Sequence, residues 1–150
     1  YIEFINDDTA VAVGDDRVLM YSGEQKPILK SNHMVDSQIQ AVYHNTEYVG
    51  VLLPSDVPEK QYKLMVLKKN KEDDKFGDFY LNDNYNDLFF TEDYFVAYNN
   101  TDCMIQSYRG ATKFDGNFLN SADLLIPIGN GKSYKYILVS RDSISTIQLK

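Results

Sequence analysis

One pattern of apolar and polar residues occurs three times along this chain, and a fourth time in weaker form. Written in register, Phe4-Ile5-Asn6-Asp7-Asp8-Thr9-Ala10-Val11-Ala12-Val13 aligns with Val42-Tyr43-His44-Asn45-Thr46-Glu47-Tyr48-Val49-Gly50-Val51 and with Phe89-Phe90-Thr91-Glu92-Asp93-Tyr94-Phe95-Val96-Ala97-Tyr98. Each copy has an apolar strand end, a polar turn of three or four residues, and an apolar run in which Ala12, Gly50 or Ala97 stands between larger residues. The fourth copy leads from Leu124-Leu125-Ile126-Pro127-Ile128 through a longer turn to Tyr136-Ile137-Leu138-Val139, with Leu138 where the others are small. The equivalent positions Val11, Val49, Val96 and Ile137 recur 38 to 47 residues apart. That is the length of a unit of four short strands, which must stack on its neighbours to bury its apolar faces.

Further strands follow each copy. Val18-Leu19-Met20-Tyr21, Tyr62-Lys63-Leu64-Met65-Val66-Leu67, Cys103-Met104-Ile105-Gln106-Ser107-Tyr108 and Ile144-Ser145-Thr146-Ile147-Gln148-Leu149 read as third strands. Short outer strands are expected at Pro27-Ile28-Leu29-Lys30, around Phe76-Gly77-Asp78-Phe79-Tyr80 and near Ala111-Thr112-Lys113-Phe114, whereas the last unit stops after its third strand. Pro54 and Pro58 bar the stretch between them from a central strand, so it should form a surface loop. No window sustains the i, i+3, i+4, i+7 spacing of a helix. The expectation is a single all-β domain with units at about 1–35, 36–81, 82–120 and 121–150.

With these repeats in place, the chain resembles the β-propeller repeats of the WD40, YVTN and quinoprotein type, whose blades open with a strand such as Thr9-Ala10-Val11-Ala12-Val13-Gly14. The Trp-Asp dipeptide of the WD40 class is missing, as is Trp altogether. The chain is also similar to an uncharacterised propeller-like domain of membrane-anchored proteins from Gram-positive bacteria, in which the propeller lies outside the cell. The resemblance implies a propeller-like fold of about four antiparallel meander units, in a closed or partial ring. It also implies an extracellular or cell-surface location, anchored through a segment outside these residues.

Charge and composition narrow the partners. Fifteen Lys and Arg against 22 Asp and Glu give a formal charge of -7, which repels phosphate backbones, so nucleic acid is not expected. The single cysteine, Cys103, permits neither an intrachain disulfide nor a cysteine zinc cluster and reads as a small buried hydrophobe. No apolar run reaches the roughly 20 residues of a membrane-spanning helix. The chain starts without Met on Tyr1-Ile2-Glu3-Phe4, which reads as a strand already under way, so it is expected to be cut from a longer protein. Of its twelve Tyr and eight Phe, Phe4, Phe89, Phe95 and Tyr98 fall on strands and should build the packing between units. Tyr80 and Tyr85 read as loop residues of an aromatic binding surface.

Motifs for chemistry are sparse. Gly131-Lys132-Ser133 lacks the glycine that a phosphate-binding loop needs five positions earlier, where Ile126 stands, and reads as a hairpin turn. Asn82, Asn84, Asn86 and Asp93 have the spacing of a calcium loop, but Asp87 occupies the required glycine position. His33, in a linker, and His44, in a turn, are the only imidazoles; both should be solvated. No Gly-x-Ser-x-Gly elbow is present. Asn99-Asn100-Thr101 reads as a hairpin. The acidic pairs Asp7-Asp8, Asp15-Asp16, Asp73-Asp74 and Glu92-Asp93 fall at turns, the first and last on one rim, where Asp also serves the backbone.

These features point to a non-enzymatic binding or scaffold module whose rigid units display variable turns, with Asp15, Asp16, Tyr80, Tyr85, Glu92 and Asp93 as candidate contacts. The expected partner is a protein, or a second copy engaged through unclosed sheet edges, without a cofactor or metal. The rival class is a sensor or enzyme holding a carbohydrate or small metabolite in a central pocket. It would require two carboxylates, or a carboxylate and His44, in one cleft.

Overall fold

The computed structural model of the chain describes residues 1–68, 75–82, 85–119, 121–129 and 134–149. Among these the regular structure is β throughout. The first sheet is β1 (Ile2–Asn6), β2 (Thr9–Val13), β3 (Arg17–Ser22) and β4 (Ile28–Met34); the second is β5 (Ala41–His44), β6 (Tyr48–Pro54), β7 (Tyr62–Lys68) and β8 (Lys75–Leu81). The third is β9 (Asp87–Phe90), β10 (Tyr94–Tyr98), β11 (Asp102–Ser107) and β12 (Thr112–Asn117). The fourth has three described strands, β13 (Leu124–Pro127), β14 (Lys135–Ser140) and β15 (Ser143–Gln148). Every sheet is an antiparallel meander in sequence order, and none closes on itself.

Two compact units divide the chain, Tyr1–Asp83 with the first two sheets and Asn84–Lys150 with the last two. In the first unit Val11, Val13, Val18 and Met20 meet Val49, Val51, Leu53, Met65 and Leu67 of the second sheet. In the second unit Tyr94, Val96, Tyr98, Cys103 and Ile105 meet Leu125, Tyr136 and Leu138, with Phe89, Phe114 and Ile147 partly buried beside them. Each such side chain contributes roughly 1.5–3 kcal/mol by leaving water. Cys103 is wholly buried, as its surroundings in the sequence imply.

Side chains set the turns. Asn45 accepts hydrogen bonds from the N–H groups of Glu47 (2.9 Å) and Tyr48 (2.8 Å), closing the β5–β6 hairpin. Asn99 does the same for Thr101 (2.8 Å) and Asp102 (2.7 Å) between β10 and β11, which makes the Asn99-Asn100-Thr101 stretch the expected hairpin. At β9–β10 the Thr91 hydroxyl accepts from the Tyr94 N–H at 3.2 Å. Gly110 turns the chain from β11 into β12 at φ 86, a conformation glycine adopts without strain.

These turns correct the repeat in one place. The Asn45 N–H donates to the Tyr48 carbonyl and the Thr91 N–H to the Tyr94 carbonyl, so Tyr48 is the counterpart of Tyr94, the place the sequence pattern gives to Glu47. A shift of one residue turns every side chain of a strand to the opposite face. Val49 and Val51 accordingly point back toward Val11 and Val13, and Gly50 takes the place equivalent to Val96. The first hairpin is also tighter than expected, with Asn6 paired to Thr9 across the two residues Asp7 and Asp8 and a bulge between Phe4 and Asn6.

Phe4 is a second correction. Its expected place was in the packing, but it is 73% exposed. It pairs with Ala10 and therefore shares that residue's face of the sheet, opposite the one that carries Val11 and Val13 into the core.

Candidate binding surfaces

The acidic candidates sit at two different kinds of turn. Asp15 and Asp16 lie in the β2–β3 turn, closed by the Gly14 N–H to Arg17 carbonyl bond at 2.9 Å. Asp16 grips the Arg17 guanidinium at 2.8 and 2.7 Å, and this bond holds its carboxyl below the usual carboxylate range. With Asp36, Ser37 and Gln38 from the connection after β4, the two residues line a groove of about 510 Å³. Glu92 and Asp93 are exposed in the β9–β10 turn, the turn type that Asp7 and Asp8 occupy in the first sheet. In a meander the first and second turns lie at opposite ends of the strands, so these candidates do not share an edge of the repeat.

The tyrosines separate. Tyr80 is on strand β8, opposite Lys63, and not on a loop. It belongs to a surface group in which the Lys63 Nζ lies 3.2 Å from the Asp56 carboxylate. A hydrogen bond to Asp56 raises the Tyr80 phenol, and the Lys63 bond lowers the Asp56 carboxyl. Tyr85 is only 5% exposed and displays nothing.

Of the two imidazoles, His33 departs from expectation and His44 is exposed as expected. His33 is part of β4, paired with Val18, and its Nε2 is buried without a hydrogen-bond partner. His44 ends β5, and its Nε2 stands 3.8 Å from the Glu3 carboxylate, beyond hydrogen-bond length and half exposed. Among the described residues no group of three or more His, Cys, Asp or Glu is placed to hold a metal. The calcium-like spacing includes Asn84, and Asp73, Asp74 and Gly131-Lys132-Ser133 likewise lie outside the described residues. No described helix is long and apolar enough to cross a membrane.

Two apolar sheet faces were missed by the residue-by-residue reading. On the first sheet Ile2 pairs with Ala12 and on to Leu19, and Phe4 with Ala10, Tyr21 and Leu29, so all share one face. Ile2, Phe4, Leu29 and Met34 are exposed there. On the fourth sheet Leu124, Val139 and Ile144 form one cross-strand row and Ile126, Ile137 and Thr146 the next. Leu124, Ile126 and Ile144 are exposed. The signal was present in the alternation of Ile2 with Phe4 and of Leu124 with Ile126.

Over residues 1–149 the sequence matches a family described as "Family of unknown function (DUF5711)". The chain belongs to that family. No curated protein matches it. This DUF5711 chain is similar in structure to the computationally designed Ika4 protein, with a TM-score of 0.62 at 10% identity, covering 99% of this chain and 89% of that one. At that identity the likeness concerns the fold alone. The AfRom2 CNH domain gives a TM-score of 0.34 at 8% identity, covering 94% of this chain and 61% of that one.

Proposed function

We propose that this domain is a non-enzymatic, propeller-like protein-binding module, held at or outside a cell surface, whose packed sheets each present a fixed face. The observation that carries the reading is the pair of exposed apolar faces, around Phe4 on the first sheet and Ile126 on the fourth. Contiguous apolar surface of this kind on a folded domain marks a protein-interaction site. The close-packed cores behind these faces hold them in fixed shape. The cell-surface placement rests on the resemblance drawn from the sequence.

A photo-crosslinking amino acid placed at Phe4 or at Ile126 tests this in the cell of origin. Crosslinks to a polypeptide are expected from both positions and not from the exposed polar sites Glu24 and Lys113. Absence of crosslinks from both apolar faces would sink the proposal. A second reading, a small polar ligand such as a sugar held by the domain, is favoured by the groove where Asp15, Asp16 and Asp36 converge. Binding of such a ligand that is lost in Asp36→Asn, with crosslinking absent, is the result that would put it first.

A further inference from the structure

Two outer strands share a pairing of side chains that the first sheet alters. In β8 the ring of Phe79 comes within 3.3 Å of where a Cβ would stand on Gly77, and in β12 the ring of Phe114 covers Gly116 at the same distance. Phe114 and Gly116 lie opposite Ile105 and Cys103 of β11. The Gly14 N–H to Arg17 carbonyl bond and the Asn99 N–H to Asp102 carbonyl bond close equivalent turns, so Val18 matches Cys103 and Met20 matches Ile105. Opposite Met20 and Val18 on β4 stand Ser31 and His33. Where the third sheet covers its core with an aromatic ring over a glycine, the first therefore places a hydroxyl and an imidazole. Cross-strand partners share a face, so both side chains lie on the side that carries Val18 and Met20 toward the second sheet.

Neither polar group is satisfied: Ser31 Oγ and His33 Nε2 are both buried without a hydrogen-bond partner. On β3 their neighbours Val18 and Met20 are uncharged, and Asp16 at the end of that strand is engaged by Arg17. Glu3 of β1 is in register with Val11 on the same side. In the second sheet, the titratable residues in register with Val49, Met65 and Leu67 are His44 of β5, Glu47 before β6, Lys63 of β7, and Lys75, Asp78 and Tyr80 of β8. Lys63 is held by Asp56, Glu47 stands 3.8 Å from Lys68, and His44 stands 3.8 Å from Glu3. None of these groups bonds the buried nitrogen of His33. A proton taken up at Nε2 would create a cation without an acceptor, which a protein interior expels to water.

We propose that His33 makes the outer strand of the first sheet an acid-sensitive latch: with the imidazole neutral, β4 stays packed toward the second sheet, and protonation at Nε2 releases it. The buried nitrogen takes up a proton only when β4 lifts and water reaches it, so the open form binds one proton more than the closed form. The closed form is therefore favoured above the range in which imidazoles charge, and it loses ground as pH falls through that range. The far side of β4 carries Leu29 and Met34 of the exposed apolar face, so its release also rearranges that surface. The latch does not depend on what binds there.

The test is amide hydrogen exchange, resolved by NMR, on the full chain at about pH 7.5 and about pH 5.5, with rates corrected for the intrinsic effect of pH on exchange. The Val35 N–H donates to the Asp16 carbonyl at 2.9 Å, and alternation along the ladder then bonds Val18 to His33 and Met20 to Ser31. Protection of these four amides is expected to fall about tenfold between the two conditions, the effect of one linked proton, while the amides of β10 keep theirs. His33→Phe supplies an apolar ring and His33→Gln a polar side chain that takes no proton. Both should hold their protection constant, and His44→Gln should leave the fall intact. Equal protection of the unaltered chain at the two pH values overturns the proposal. So does a fall that persists in both His33 variants or disappears in His44→Gln.

Discussion

The phenol of Tyr136 on β14 donates a hydrogen bond to the phenol of Tyr94 on β10, at 3.2 Å, across the core between the third and fourth sheets. Burial raises both phenols above their ordinary range, Tyr136 the more so because it also gives its proton to Tyr94. Tyr136→Phe removes this bond at nearly constant volume and should lower stability by about 1 kcal/mol. Tyr136→Ala also opens a cavity and should cost about 3–5 kcal/mol, the range for large aromatic truncations. Urea unfolding of the two variants separates these contributions.

Alkaline pH should destabilise the chain through its buried phenols. Tyr98 is pushed up to about 12, chiefly by burial, while it donates to Asp87 at 3.0 Å and accepts from the Leu125 N–H at 3.3 Å. An unfolded tyrosine titrates near 10, so above that pH the folded chain keeps protons that the unfolded chain has released. The associated stability is fully present below about pH 10 and is lost as pH rises toward 12. Circular dichroism along a pH series should show this, with a shallower loss in Tyr98→Phe. An identical profile in the variant would remove Tyr98 from the explanation.

The Cys103 thiol should be silent in the native state. Burial pushes it up to about 12, and only the thiolate reacts. Labelling by a thiol reagent at neutral pH should begin only where denaturant unfolds the chain, and labelling in buffer alone would contradict the assignment.

Asn45→Ala and Asn99→Ala each remove a side-chain oxygen that accepts two turn N–H groups. Each should lower stability by about 1 kcal/mol. Thermal melts of the two variants, expected to shift by similar amounts, test whether the turns are as alike in energy as in geometry.

The exposed face of the first sheet and the core behind it should respond in opposite ways. Phe4→Lys changes an exposed position and should alter stability by less than about 0.5 kcal/mol, while reducing crosslinking to a partner. Leu67→Ala, in the core shared with Val11 and Val13, should cost about 2–5 kcal/mol. A strongly destabilised Phe4→Lys chain would mean that this face is covered within the domain.

The repeat made the strand groups legible because each carries its own apolar run and polar turn. Register was harder. Asn45 closes a turn that Thr91 closes in the third sheet, but nothing in the local pattern distinguishes Tyr48 from Glu47 as the residue that ends it. Valines on both sides of Gly50 fit either face of a strand buried on both faces. Phe4 failed for the complementary reason: alternation identifies which residues share a face, and whether another sheet covers that face depends on contacts far away in the sequence. Tyr85, read as a loop ring on display, is buried by surroundings no short window contains. His33 was placed in a linker because β4 continues to Met34 through polar residues, which an outer strand tolerates.

The plain composition of β15 has a consequence wherever its edge is bare. Six residues with two isoleucines and a threonine, no charge and no proline are what stacks into cross-β fibrils when held open in many copies. Copies whose β15 edge is bare should therefore join edge to edge at the fourth sheet.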